Sequence, residues 1–220
     1  IYLSAQGAVD IEENSVIASD SATVNSGSAG SIFIDANGVK INQSKIQTVT
    51  RSDVQANTKA TIDINAGGGK LEIIGNGEEG NGLYASTGGD SDAGDILLHN
   101  ASLALIDNET IDTSSQREFA PEFEVLEGRA GSIIISDIDD LVVTNGARIL
   151  ARTSRNSIND AGAISLSADS VVLSNGAQIS TSSNGLGRAG DINITDTNHL
   201  EIIKPVRRVD IENASGTESD

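Results

Sequence analysis

The chain has 220 residues, a formal net charge of −18 and 37% apolar residues, yet only 2% are aromatic and Cys, Met and Trp are absent. This composition excludes a disulfide framework, a thiolate metal site and a Cys nucleophile. The acid excess leaves no basic stripe for nucleic-acid phosphates, and no apolar run is long enough to cross a membrane as a helix.

The apolar residues are mostly Ile, Val, Leu and Ala, which suit regular stacking better than an irregular core filled by large rings. Only two prolines interrupt the backbone donors that a strand ladder needs. The chain opens on Ile1 without Met or signal peptide, which reads as a processed or excised piece.

In chain order, Ile1-Tyr2-Leu3, Val9-Asp10-Ile11 and Val16-Ile17-Ala18 form a first set of three short strands. A second set follows at Ile32-Phe33-Ile34, Val39-Lys40-Ile41 and Ile46-Gln47-Thr48, and a third at Ile62-Asp63-Ile64, Leu71-Glu72-Ile73 and Leu83-Tyr84-Ala85. Ile96-Leu97-Leu98, Leu103-Ala104-Leu105 and Ile111-Asp112-Thr113 make the fourth. The fifth and sixth run Ile133-Ile134-Ile135, Leu141-Val142-Val143, Ile149-Leu150-Ala151 and Ile164-Ser165-Leu166, Val171-Val172-Leu173, Ile179-Ser180-Thr181. The seventh is irregular: Ile192-Asn193-Ile194, Leu200-Glu201-Ile202, then Pro205 and Val209-Asp210-Ile211.

Starts at 1, 32, 62, 96, 133, 164 and 192 differ by 28 to 37 residues, a solenoid period. Alternation puts the outer two residues of each triplet on one face. The third strand then carries a small column, Ala18, Thr48, Ala85, Thr113, Ala151 and Thr181, fit for a narrow corner. These patterns predict an all-β, right-handed, single-stranded parallel β-helix of about seven coils of three short strands. The repeat domain is expected over 1–212, with an insertion at 114–129 and a tail or linker over 213–220.

Ala161-Gly162-Ala163-Ile164-Ser165-Leu166, Val171-Val172-Leu173-Ser174-Asn175-Gly176-Ala177-Gln178-Ile179-Ser180-Thr181 and Gly187-Arg188-Ala189-Gly190-Asp191-Ile192-Asn193-Ile194 carry a further likeness. Their wording resembles the filamentous-haemagglutinin-like large exoproteins of two-partner secretion, particularly the cyanobacterial kind. The resemblance implies a secreted or cell-surface bacterial fibre, often an adhesin, whose partners are a host or neighbouring cell surface, matrix or glycan. It also implies flanking β-helix coils in the parent chain. The Asn-Pro-Asn motif of such export domains does not occur in this sequence.

Function in such a rod lies on outward residues and loops. The third connection of each coil is long and variable, and stacking would align these loops into one ridge, the candidate partner surface. Its 114–129 member holds the partner-binding candidates Phe119, Phe123, Glu122 and Arg117. The two Phe rings are expected to fold back over Leu97 and Ile134. Outward Ala104, Val142 and Val172 would extend that apolar patch.

Asp90, Asp92 and Asp95 sit in an oxygen-rich stretch that resembles a calcium loop, but it lacks the spacing of calcium β-rolls and EF-hands. Turn residues without metal are the plainer reading, and no other cofactor is expected. The outward Asp10, Lys40 and Glu72 alternate in sign, as exposed ladder pairs do. His99 and His199 occupy similar positions three coils apart, too distant to share a metal. Carboxylate pairs arise by stacking alone in this architecture, so they do not identify a glycosidase.

The function expected is a non-catalytic structural or adhesive segment of an extracellular fibre. The alternatives are a glycan- or calcium-binding module, a phage or secretion-associated β-helix that would trimerise in solution and, last, a polysaccharide-cleaving enzyme.

Overall fold

The computed structural model describes residues 1–21, 27–51, 59–78, 80–115, 128–154 and 157–203, with the backbone alone over 210–215. Coil one comprises β1 (Tyr2–Ala5), β2 (Val9–Ile11) and β3 (Val16–Ala18). Coil two holds β4 (Ile32–Ala36), β5 (Val39–Asn42) and β6 (Lys45–Gln47), and coil three β7 (Thr61–Asn65), β8 (Lys70–Ile74) and β9 (Gly82–Tyr84). In coils four to six the first two strands merge: β10 (Asp95–Asp107) and β11 (Thr110–Asp112), β12 (Ile133–Thr144) and β13 (Arg148–Thr153), β14 (Ile164–Leu173) and β15 (Gln178–Ser183). Coil seven has β16 (Ile192–Thr195), β17 (His199–Ile202) and β18 (Asp210–Ser215), so the ladder runs past residue 212 into the segment expected as a tail.

All these strands pair in parallel with the equivalent strand one coil on, giving a β-solenoid of about six turns. Seven first strands make six stacking steps, β1-β4-β7-β10-β12-β14-β16, which reconciles this count with the seven repeats in the sequence. Ile32, Ile62, Ile96, Ile133, Ile164 and Ile192 form one unbroken column of Cα partners. Ile32, Ile62, Ile96, Ile133 and Ile164 are fully buried at 0% exposure. A buried large aliphatic side chain contributes about 1.5–3 kcal/mol, and here that burial exists only because the next coil supplies the other half of the contact.

Two expected triplets are out of phase. In coil four Ala104 pairs with Leu71, and Ile106 with Ile73, so Ala104 and Ile106 face the core while Leu105 turns outward. In coil one Ile17 pairs with Ile46, which exposes Ala18 and puts Ser19 in the corner column. The remainder of that column, Thr48, Ala85, Thr113, Ala151 and Thr181, is fully buried as expected.

Beyond it the ladder continues for two more residues. Ser21, Thr50, Thr87, Ser115 and Thr153 pair in sequence, and Thr153 pairs with Ser183. This second hydroxyl column is also buried and narrows the third corner.

The corner after it closes on stacked glycines. A Cβ on Gly131 would lie 1.8 Å from the Gly94 carbonyl oxygen, and one on Gly162 would lie 1.8 Å from that of Gly131. Coils approach so closely here that the recurrent Ala-Gly pair is a packing requirement. At the same position coil three has Ala60.

Candidate functional site

Phe119, Phe123, Glu122 and Arg117 lie outside the described residues, as does the expected packing of the two rings. Ile134, one of the side chains they were expected to cover, is 39% exposed. The outward apolar column is Leu105, Val142 and Val172, with Leu105 in place of the expected Ala104. On the outer face of β11, β13 and β15, Asp112, Leu150 and Ser180 are buried although they point away from the core.

The three calcium candidates do not converge. Asp92 Oδ1 accepts the Arg129 N–H at 3.0 Å, and Asp95 Oδ1 accepts the Ser132 N–H at 2.8 Å and lies 3.6 Å from Lys59 Nζ. Both carboxylates cap backbone donors of the following coil, where the regular ladder is interrupted. Asp20 does the same for Val49 (2.9 Å) and Asp160 for Arg188 (2.7 Å). Among the described residues no group of three or more acidic, His or Cys side chains is placed to hold a metal ion.

Asp92 and Asp160 belong to a charge column that the sequence reading missed. Asp92, Arg129, Asp160 and Arg188 each stand four residues before the first inward Ile of their coil and so alternate in sign along the corner. The Arg188 N–H holds the Asp160 carboxyl below its ordinary value, and the guanidinium groups of Arg188 (3.3 Å) and Arg129 add to this. The expected alternation at Asp10, Lys40 and Glu72 is present in register, but Lys40 Nζ sits 2.6 Å from Glu12, which raises its pKa.

The two histidines are not equivalent. His99 lies within β10, paired with Asn65 at the end of β7, whereas His199 opens β17, paired with Ser170. His99 Nε2 lies 2.8 Å from Asp63 Oδ1 and His199 Nε2 3.6 Å from Glu201.

A second buried carboxylate lies at the second corner. Glu109, 6% exposed, fills the second corner beneath the glycine-rich turn of coil three. Cβ atoms on Gly75 and Gly82 would meet its oxygens at 2.7 and 3.2 Å. Burial raises its pKa, and the Thr110 N–H at 3.0 Å offsets this in part. Beside it Asn108, with its amide turned to satisfy both neighbours, accepts from Gly77 N–H (2.9 Å) and donates to the Asn145 carbonyl (3.1 Å).

The outer face of the first strands carries the exposed rings. Tyr2 is 67% and Phe33 40% exposed, and the two are Cα partners on successive coils. Asp63 is the partner of Phe33 on the next coil, Asp35 lies two residues along, and Asp35 Oδ1 accepts from Asn65 Nδ2 at 3.1 Å. The signal for this cluster was the shared position of Tyr2, Phe33 and Asp63, each one residue after the leading Ile of its coil.

No protein-family description, curated protein or solved structure matches the chain.

Proposed function

We propose that the chain is a non-catalytic structural and adhesive segment of an extracellular β-helical fibre, akin to the filamentous-haemagglutinin-like exoproteins its repeats resemble. The observation that carries this reading is the in-register stacking of the coils: Ile32, Ile62, Ile96, Ile133 and Ile164 are successive Cα partners at 0% exposure. A rod built this way holds its outward residues at fixed spacing along its length.

Two experiments test the reading. Antibody raised against the chain is expected to label intact cells of the source organism; labelling only after permeabilisation would overturn the extracellular assignment. The purified chain on beads is expected to adhere to cells or matrix and to release no new reducing ends from acidic polysaccharides. Polysaccharide turnover would overturn the non-catalytic part.

A calcium-binding role has weaker support, because Asp92 and Asp95 already accept backbone N–H groups. Calcium titration is expected to leave the melting temperature unchanged.

A further inference from the structure

We propose that the outer face of the first strands in coils one to four binds an amino-sugar polymer, with Tyr2 and Phe33 as stacking platforms and Asp35 and Asp63 as acidic partners. The inference rests on the adhesive reading above and names its ligand class.

The sequence has five Tyr and Phe residues in all, and two of them stand exposed at the same outward position of neighbouring strands. Parallel strands lie about 4.8 Å apart, so the ring-bearing positions repeat at that interval along the rod. The face of an aromatic ring attracts C–H groups and cations, and an exposed pair has no core to fill. The neighbouring carboxylates supply acceptors. Asp63 and Asp35 each bond through Oδ1, to His99 (2.8 Å) and Asn65 (3.1 Å), and Oδ2 of neither has a partner among the described residues.

Charge selects the ligand. The chain carries −18, and Lys59, two residues before Thr61 of the same strand row, lies 3.6 Å from Asp95. A cationic chain is therefore drawn to this face and an anionic one repelled. An amino sugar combines three complementary features: a flat C–H face for the ring, hydroxyl donors for the carboxylates, and an ammonium for the charge. An extended basic peptide presents same-side side chains every ~6.6–6.8 Å, out of step with the rungs.

The test is calorimetric titration of the whole chain with a glucosamine hexamer, alongside the N-acetylated hexamer and hexalysine. The glucosamine hexamer is expected to bind, and Tyr2→Ala with Phe33→Ala to weaken it at least tenfold without changing the melting temperature. Asp63→Asn, which leaves both rings in place, is expected to weaken it severalfold and so keeps the test decisive should the double variant not fold. Absence of binding, or binding unaffected by these variants, overturns the proposal. Equal binding of hexalysine with the same ring dependence assigns the face to basic peptides, and equal binding of the acetylated hexamer removes the amine; either result overturns it. Adhesion to cells without glucosamine binding would sink this face while leaving the adhesive reading intact, whereas loss of both would sink both.

Discussion

At Gly131 the absence of a side chain is what lets two coils touch. The position its Cβ would occupy is 1.8 Å from a backbone oxygen, and backbone cannot swing aside as a flexible side chain can. Gly131→Ala is therefore expected to cost about 1–3 kcal/mol or more through overpacking. That corresponds to a fall in melting temperature of roughly 2–4 °C per kcal/mol for a chain of this size. Gly7→Ala, with open space around its Cβ, is the control and should change little. Glu109 poses the opposite case, a charge that folding buries. Its folded pKa is raised, so ionisation penalises the folded state once pH climbs above the ordinary carboxyl value of 4.5, and the penalty is complete above the raised value. Glu109→Gln keeps an acceptor for the Thr110 N–H and removes the charge. It is expected to melt above the parent at neutral pH, with the gap closing in acid below 4.5. A gap that stayed constant with pH would show that the charge is not the cause.

Two buried threonines in adjacent columns of the third element show how context sets the worth of a hydroxyl. Thr87 Oγ1 donates to the Thr50 carbonyl (3.1 Å) and accepts from the Gly89 N–H (3.3 Å). Thr50 also receives the Gly88 N–H, so in Thr87→Val its carbonyl stays bonded while Gly89 loses its acceptor. A cost of about 1–3 kcal/mol follows. Thr48 Oγ1 is buried with no partner among the described residues, and Thr48→Val is expected to be neutral or stabilising when both variants are compared by denaturant titration. The corner position of Thr48 was legible in the sequence but the column of Thr87 was not, although the rule is simple: counting four from Ile17, Ile46, Leu83, Ile111, Ile149 and Ile179 reaches Ser21, Thr50, Thr87, Ser115, Thr153 and Ser183. Apolar triplets drew the eye, and Ser or Thr in a loop ordinarily signals a turn. The two phase errors have a related cause. In Leu103-Ala104-Leu105-Ile106 and Val16-Ile17-Ala18 apolar residues fall on both faces, and alternation then fixes the period without fixing which residues point inward. Where the middle residue is polar, as in Val39-Lys40-Ile41 or Leu71-Glu72-Ile73, the inward set was read correctly. The exposed pair Tyr2 and Phe33 was visible as letters, and only the register made it a surface.

For the molecule as a whole, interchangeable coils mean that one can be removed without loss of the fold. Deleting Ile133 to Ala163 joins Ser132 to Ile164. Ile164 then takes the place of Ile133 against Ile96, and Ser183 that of Thr153 against Ser115, with every inward column in phase. The shortened chain should unfold cooperatively, with a denaturant slope reduced in proportion to the surface it no longer buries. A deletion half as long would bring unlike columns together and should leave no cooperative transition. The full-coil deletion has one predicted defect: it removes Asp160 and sets Arg129 against Arg188 in the alternating column. Arg188→Asp should therefore stabilise the shortened chain by some tenths of a kcal/mol, as exposed cross-strand pairs do. In the parent the same change sets a second carboxylate against Asp160 in place of the present 3.3 Å pair and should destabilise by a similar amount. The change of sign between the two backgrounds is the diagnostic, because a local effect of Arg188 on its own loop would have the same sign in both. Equal effects would mean that the corner charges do not act between coils.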